Sequence, residues 1–218
     1  MCNIKKRGSS SAFFIEFFTY LCGCDILCLK RGDNMSAEKD FVQKVLTHDN
    51  VVETIRANMN VLIEIIPEIR AMIGFEHKHP HHHLDVWQHT LYALSLAPND
   101  FDVRLSLLLH DIGKPTSFQE VDGVRHFKGH PEVSSKIVHS ILTRLGFDDD
   151  YCKYICQIIA LHDTPLTKEY LAANYSLSGK IFEVQKCDAL AHNPTYNKNR
   201  LKYIEDTQQL FNQQENNS

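Results

Sequence analysis

Six histidine and aspartate side chains lie on the apolar faces of the helices that the sequence predicts. Side chains three or four positions apart share a helix face, and this spacing places His89, for example, beside Val86 and Ala93. The six inward residues, which come from five predicted helices, are His89, His110, Asp111, His130, His162 and Asp188. A core excludes polar side chains that have no partner. We therefore expect the chain to fold so that these side chains meet around a shared partner.

The chemistry of this set indicates a divalent cation, or two, as the shared partner. One inward histidine is usually a hydrogen-bonded core residue, but a buried cluster of imidazoles and carboxylates leaves many lone pairs unsatisfied without a cation. Nitrogen and oxygen ligands without sulfur favour Mn, Fe, Co, Ni, Mg or Zn in a catalytic site over a closed, cysteine-rich structural zinc site. His192, one helical turn after Asp188, is in a position to support the ligands from outside the set.

The other histidines and the cysteines favour simpler interpretations. His77, His79 and residues 81–83 form a histidine-rich loop, which we expect to be solvated, with one ring near enough to reach the mouth of the site. The seven cysteines are odd in number and irregular in spacing, which is a poor disulfide framework and favours a reducing compartment. Cys152 and Cys156 lie within an amphipathic pattern and are predicted to be small core residues.

Hydrophobic periodicity predicts an all-α chain. The predicted helices begin after Asp, Ser or Thr and end near Gly, Pro or Asn, as helix capping favours. They cover residues 36–48, 51–73 with a break at Pro67, 85–97, 100–112, 130–145, 149–162, 178–192 and 195–211. No segment shows sustained alternation of β-branched residues, so we expect no sheet and a loop over 116–129.

Length and charge limit the classes of protein that fit. The chain has 218 residues, of which 43% are apolar, enough for one domain with a core. Its formal net charge of −4 gives no basic footprint for duplex nucleic acid and favours a small substrate. The oligomeric state is left open.

The first 34 residues differ from the rest and have two interpretations. A basic start precedes the run AFFIEFFTYLCGC, in which Leu21-Cys22-Gly23-Cys24 is similar to a lipoprotein signal but Glu16 interrupts the apolar stretch. Alternatively, translation begins at Met35, because codons for the preceding KRGDN can spell a bacterial ribosome-binding site. We favour this mis-called start, which leaves residues 35–212 as one domain, 213–218 as a polar tail, a cytoplasmic location and no membrane contact.

Four local strings resemble one known family. They are DVWQHTL (85–91), LLLHDIGKP (107–115), RHFKGH (125–130) and CDALAHNP (187–194). Together they resemble the HD domain of bacterial CCA-adding and poly(A) polymerase-type nucleotidyltransferases, within the HD superfamily of metal-dependent phosphohydrolases. The resemblance covers about residues 80–195 and implies an all-α HD-domain helical bundle with the metal site between helices. No match to the nucleotidyltransferase head is found, so we expect a free-standing HD protein without polymerising activity.

The resemblance also implies roles for individual residues. The simplest members bind one metal through residues that correspond here to His89, His110, Asp111 and Asp188. Members with two further histidines bind two metals bridged by the aspartate of the doublet, and this chain offers His130 and His162, with His126 in reserve. Lys114 corresponds to a lysine near the phosphate, and His126 is a candidate to bind the phosphate or protonate the leaving oxygen. Asp111, Lys114 and His126 are thus the expected catalytic residues.

The expected function is metal-dependent hydrolysis of a phosphate ester, in a small nucleotide or a cyclic phosphate, by a metal-bound hydroxide. Two alternatives remain. One is a nucleotide-sensing or partner-binding HD module without turnover. The other is a di-iron oxygenase on the same fold, which oxygen-dependent turnover would reveal.

Overall fold

The computed structural model describes residues 35–215, so segment 1–34 and residues 216–218 of the predicted tail lie outside the described part. The prediction of an all-α fold is confirmed for the described residues. They form α1 (Met35–Thr47), α2 (Val51–Ala57), α3 (Met59–Ile65), α4 (Val86–Leu96), α5 (Phe101–Leu109), α6 (Lys114–Ser117), α7 (His130–Arg144), α8 (Asp149–Ala160), α9 (Lys168–Ala173), α10 (Tyr175–Ala191) and α11 (Lys198–Glu215). Two 3₁₀ helices (Pro67–Met72 and Pro194–Tyr196) and two short strands, β1 (Gln119–Val121) and β2 (Val124–His126), complete the described chain.

Side-chain caps fix where several helices begin. Asp85 accepts a hydrogen bond from the Gln88 amide at 2.8 Å at the start of α4. Asp148 accepts one from the Tyr151 amide at 2.9 Å at the start of α8. These bonds satisfy backbone donors that the first turn of a helix leaves free. The caps therefore fix the first residue of each helix. That residue in turn decides which later positions face the core, among them His89 in α4 and the last turn of α8.

The structure departs from the predicted elements at several points. The predicted helix 51–73 is three pieces, because Asn58 takes a non-helical backbone (φ −111°, ψ 17°) and Pro67 has no amide hydrogen to continue the ladder. The prediction of no sheet is wrong: β1 and β2 pair antiparallel through Asp122-Gly123. Both turn residues have positive φ, 52° and 78°, as a two-residue hairpin requires.

Helix α9 (Lys168–Ala173) was also missed, since six residues are too few for helical periodicity to show. Helix α10 begins at Tyr175, three residues earlier than expected.

Among the described residues, no helix is long and apolar enough to cross a membrane.

Helices α5 and α10 place the inward histidines and aspartates of the sequence analysis in the core. Every residue from Val103 to Leu109 in α5 is buried, so the residues that follow, His110 and Asp111, are delivered into the core. Helix α10 packs against α4, α5, α8 and α11. Helices α7 and α8 pack side by side and place His130 and His162 on the same side of that centre.

Gly113 allows helix α7 to approach the chain that follows α5. A Cβ atom at this position would lie 2.6 Å from the Ser134 amide nitrogen and 3.0 Å from the His130 carbonyl oxygen. The Gly113 amide also donates to Ser134 Oγ at 2.9 Å. This contact between backbones holds the start of α7, and with it His130, beside Asp111.

Substituting this glycine is expected to destabilise the fold. Gly113→Ala forces backbone atoms apart, so we expect its free energy of unfolding to fall by about 1–3 kcal/mol. The matched control is Gly179→Ala within α10, where no atom lies within 4 Å of the added carbon. That change should raise the free energy of unfolding by about 0.5–1 kcal/mol through helix propensity. Urea denaturation compares the two, and equal effects would contradict the packing argument.

Candidate metal centre

The six inward residues of the sequence analysis meet at one place. His89 lies in α4, His110 and Asp111 follow α5, His130 begins α7, His162 follows α8, and Asp188 lies in α10. All six residues are buried, from completely enclosed to 7% exposed. Three groups, each with ligand atoms within 4.8 Å of one another, could hold a metal ion: His89 with His110 and Asp111, Asp111 with His130 and His162, and His89 with Asp188 and the neighbouring His192.

The first group surrounds the Oδ2 atom of Asp111 and the Oδ1 atom of Asp188. His89 Nε2 lies 2.8 Å from Asp188 Oδ1 and 3.9 Å from Asp111 Oδ2. His110 Nε2 lies 3.3 Å from Asp111 Oδ2 and 3.5 Å from Asp188 Oδ1. Two imidazoles and two carboxylates thus present four ligand atoms to one volume.

The second group lies on the other oxygen of the same aspartate. His130 Nε2 is 3.2 Å and His162 Nε2 is 3.9 Å from Asp111 Oδ1. Asp111 therefore turns one oxygen toward each group. This is the arrangement that a carboxylate bridging two cations requires.

Backbone carbonyls fix the orientation of all four rings. The Nδ1 atoms donate to carbonyl oxygens at 2.6–3.3 Å, in the pairs His89–Ala191, His110–Leu107, His130–Phe127 and His162–Ile159. Because a carbonyl oxygen only accepts, each Nδ1 carries the proton and each Nε2 of a neutral ring points a lone pair inward. Such bonds select the tautomer that binds metals.

These residues fit divalent cations because several of their inward atoms have no matching hydrogen-bond partner. His130 Nε2 and His162 Nε2 face each other at 3.1 Å, so two lone pairs meet unless a cation or a proton lies between them. His110 Nε2 and both Asp111 oxygens are buried and have no hydrogen bond of good geometry among the described residues, although Lys114 Nζ approaches Asp111 Oδ2 to 2.7 Å. Nitrogen and oxygen donors of this kind suit the first-row divalent metals and Mg²⁺.

The pKa values of the rings show where the site concentrates charge. Burial disfavours a charged His110, but Asp111 and Asp188 outweigh burial and raise its pKa to about 10. Burial, with the neighbouring His110 and His130 rings, lowers the pKa of His162 to about 3. The carboxylates thus attract positive charge toward His110, whereas His162 stays neutral and free to be a ligand.

A cavity of about 340 Å³ opens onto the two groups. Its wall includes Asp111, Asp188, His130 and His162 together with four cationic side chains, Lys114, Arg125, Lys128 and Arg200. His126, the last residue of β2, also lines the cavity but belongs to neither ligand group. The structure therefore places His126 at the cavity wall, where it is accessible to a bound molecule, and not among the clustered ligand atoms.

His77 corrects the expectation of a solvated histidine loop. Its side chain is only 1% exposed, and burial with the nearby Lys114 charge lowers its pKa to about 2. The Nδ1 atom donates to the Leu84 carbonyl at 2.9 Å, and Nε2 accepts from Lys114 Nζ at 3.1 Å. His82 stacks on this ring at 3.7 Å. Part of the loop is thus packed and holds Lys114 in place.

Arg200 in α11 is a cavity residue that the sequence analysis did not identify. Its guanidinium donates to His192 Nε2 at 2.9 Å, forms an ion pair with Asp163, and lies 3.4 Å from Asp188 Oδ2. His192 in turn donates through Nδ1 to the Asp188 carbonyl at 2.8 Å. His192 therefore supports Asp188 and Arg200 through its two ring nitrogens, and its ring also lies within 4.8 Å of ligand atoms of His89 and Asp188.

The three cysteines among the described residues neither line the cavity nor belong to a ligand group. Cys152, Cys156 and Cys187 are free thiols and are buried. Burial raises the pKa of each thiol. These three residues belong to the core, as predicted.

Comparison with known proteins identifies relatives of the segment that carries the site. Over 111 residues the chain is 33% identical to the CC-adding tRNA nucleotidyltransferase of Thermus thermophilus, covering 48% of this chain and 25% of that protein. Over 104 residues it is 36% identical to the A-adding tRNA nucleotidyltransferase of Deinococcus radiodurans, covering 44% and 24%. Over 115 residues it is 30% identical to a multifunctional CCA protein of Legionella pneumophila, covering 50% and 28%. The matched segment thus spans about a quarter of each relative.

The family comparison covers more of the chain. The HD domain model matches residues 81–200, which include all six clustered residues as well as Lys114, His126 and Arg200. The expected resemblance is confirmed, and the protein belongs to the HD domain family.

Proposed function

We propose that the protein is a metal-dependent phosphohydrolase that cleaves a phosphate ester of a small nucleotide or a cyclic phosphate. One observation carries the proposal. Asp111 turns its two oxygens toward separate ligand groups, and a cavity walled by cationic side chains opens onto both. Hydrolysis of phosphate esters is a common use of two adjacent divalent cations.

The residues that would hold the cations form two sets, and Asp111 belongs to both. His89, His110 and Asp188 would bind one cation, His130 and His162 would bind the other, and Asp111 would bind both. Divalent cations held there would supply Lewis acidity toward a phosphoryl oxygen and lower the pKa of water. Every Nε2 ligand is already oriented by a backbone carbonyl.

The remaining polar residues would bind the substrate and move a proton. Lys114 and Arg200 both line the cavity, and their charges would offset negative charge on the phosphoryl oxygens. His126 is exposed at the cavity wall and would protonate the oxygen that leaves with the organic group. Charge neutralisation and proton transfer are thereby assigned to residues that are not metal ligands.

The cavity favours a small, strongly anionic substrate. Its volume of about 340 Å³ lies at the lower end of the range for small-molecule sites. The names of the relatives specify tRNA as their substrate, so an RNA end that carries a phosphate is a relevant comparison for this chain. We propose the small substrate as the physiological class.

Metal content and substrate range test the proposal on the full chain. We expect elemental mass spectrometry to give about two divalent cations per chain, and chelation to abolish hydrolysis that the same metal restores. The compounds assayed should include nucleoside monophosphates, 2′,3′-cyclic nucleotides and, for comparison, a tRNA ending in a 2′,3′-cyclic phosphate.

Other outcomes would favour the alternatives. Bound nucleotide with no product after reconstitution with any of the candidate metals would indicate a sensing module. Iron with oxygen consumption would indicate an oxygenase. Failure to bind any divalent cation would contradict the proposed mechanism.

A further inference from the structure

A second cavity adjoins the metal centre. It has a volume of about 270 Å³ and shares three wall residues, His162, Asp163 and Arg200, with the first cavity. Its other walls come from the chain after α8 and from α10 and α11, and they are Thr164, Pro165, Gln185, Asn199, Tyr203 and Ile204. We refer to it as the side cavity. His162, a member of the second ligand group, thus lies in the wall of both cavities.

Gln185 and Tyr203, which we call the floor of the side cavity, pair their polar groups with each other and with the backbone. The Tyr203 hydroxyl donates to Gln185 Oε1 at 2.8 Å and accepts from the Leu166 amide at 2.9 Å. Gln185 Nε2 donates to the carbonyl oxygens of Leu161 and Thr164 at 2.9 and 2.7 Å. These bonds hold the Tyr203 ring in place. They also use the polar side-chain groups of both Tyr203 and Gln185. With its polar groups paired, the floor is suited to an apolar or aromatic ligand that contacts the Tyr203 ring.

Charge distinguishes the two cavities. Four cationic side chains line the first, whereas Arg200 is the one Lys or Arg among the described residues that line the side cavity. That guanidinium is engaged by Asp163 and His192 at the boundary between the cavities. A phosphate is therefore better accommodated in the first cavity, and an uncharged planar group in the side cavity.

We propose that the side cavity binds the nucleobase of the substrate while its phosphate occupies the first cavity. The proposal deepens the proposed function and rests on it. The shared wall sets the geometry, because a molecule that spans His162 and Arg200 places one end at each cavity. Ile204 and the Tyr203 ring would contact the base, and the exposed Asn199 amide at the rim would be available to hydrogen-bond its edge.

Filling the side cavity from its rim provides the test. Thr164 is exposed and contributes its backbone carbonyl, not its hydroxyl, to the floor, so Thr164→Trp adds bulk without removing that bond. Thr47→Trp is the matched control, because Thr47 is also exposed, lies at the end of α1 and lines neither cavity. The substrates are adenosine 5′-monophosphate and glycerol phosphate, which share a phosphate ester but differ in the base.

We expect Thr164→Trp to lower kcat/KM for adenosine 5′-monophosphate about tenfold or more, since stacking of one base contributes a factor of this order. Turnover of glycerol phosphate should stay within about twofold, and Thr47→Trp should change neither. Equal losses on both substrates would overturn the base site while leaving the proposed hydrolase intact.

Binding of adenosine gives a readout that does not depend on turnover. Isothermal titration calorimetry on the full chain should detect adenosine binding in the wild type and in Thr47→Trp, and at least tenfold weaker binding in Thr164→Trp. This pattern without any phosphatase activity would support the base site and contradict the proposed function. Undiminished adenosine binding in Thr164→Trp would overturn the base site.

Discussion

Asp111→Asn is expected to remove both cations and to lower turnover by about a thousandfold or more. The aspartate turns one oxygen toward each ligand group, at 3.2 Å from His130 Nε2 and 3.3 Å from His110 Nε2. Asparagine has the same shape but no charge, and it presents one oxygen instead of two. Neither group then keeps its shared anionic ligand. Elemental mass spectrometry and steady-state assays of the full chain measure the two effects.

Two further variants separate loss of the bridge from general damage. His130→Ala should lose about one cation and retain the other, because its ring belongs to only one of the two groups. Asp163→Asn changes a carboxylate in the same cavity wall that contacts Arg200 and no ligand nitrogen. It should keep about two cations. If Asp111→Asn retained both cations while remaining folded by circular dichroism, the bridging role would be wrong.

Sequence periodicity was sufficient to find the clustered residues but not their grouping. Each of the six lies on an apolar stripe, and all six are buried at a single centre. Spacing along a helix reports which face a side chain occupies. It contains no information on which oxygen of Asp111 faces which ring, because that depends on how α4, α7, α8 and α10 pack around α5.

The residues that sequence reasoning missed lie at positions where no local sequence pattern predicts burial or contact with the site. His77 belongs to the histidine-rich loop, and its burial follows from packing against Lys114 and His82. Arg200 lies near the start of α11 and reaches Asp163 and His192 across the cavity. A charged side chain at such a position is normally solvated. Only tertiary contacts distinguish it from an ordinary surface residue.

The hairpin shows a different kind of error. Three-residue strands are too short for alternation to reveal, but the Asp122-Gly123 pair at its turn is a strong local signal for a two-residue hairpin. Greater emphasis on turn chemistry than on periodicity would have predicted it. The hairpin matters for function because β2 brings Arg125 and His126 to the cavity.

Lys114→Met is expected to lower kcat by about 100- to 1000-fold while leaving about two cations per chain. The ammonium group is buried, lies 2.7 Å from Asp111 Oδ2 and 3.1 Å from His77 Nε2, and lines the cavity. It binds no cation itself, so its loss should leave the ligand groups in place. Methionine has nearly the same length and lacks the charge. Removing a positive group aimed at developing negative charge affects the transition state more than the ground state, so KM should change much less than kcat.

Variants of His77 test whether the position of Lys114 matters as well as its charge. His77→Phe preserves a buried ring but removes the nitrogen that accepts from Lys114, and we expect about a tenfold loss in kcat. His77→Gln supplies a side-chain oxygen as acceptor and should recover most of that loss. A purely structural role for His77 predicts the reverse order, because phenylalanine fills the space beside the His82 ring better than glutamine. A loss of cations in Lys114→Met would instead place the lysine in support of the ligands and remove its assignment to the phosphate.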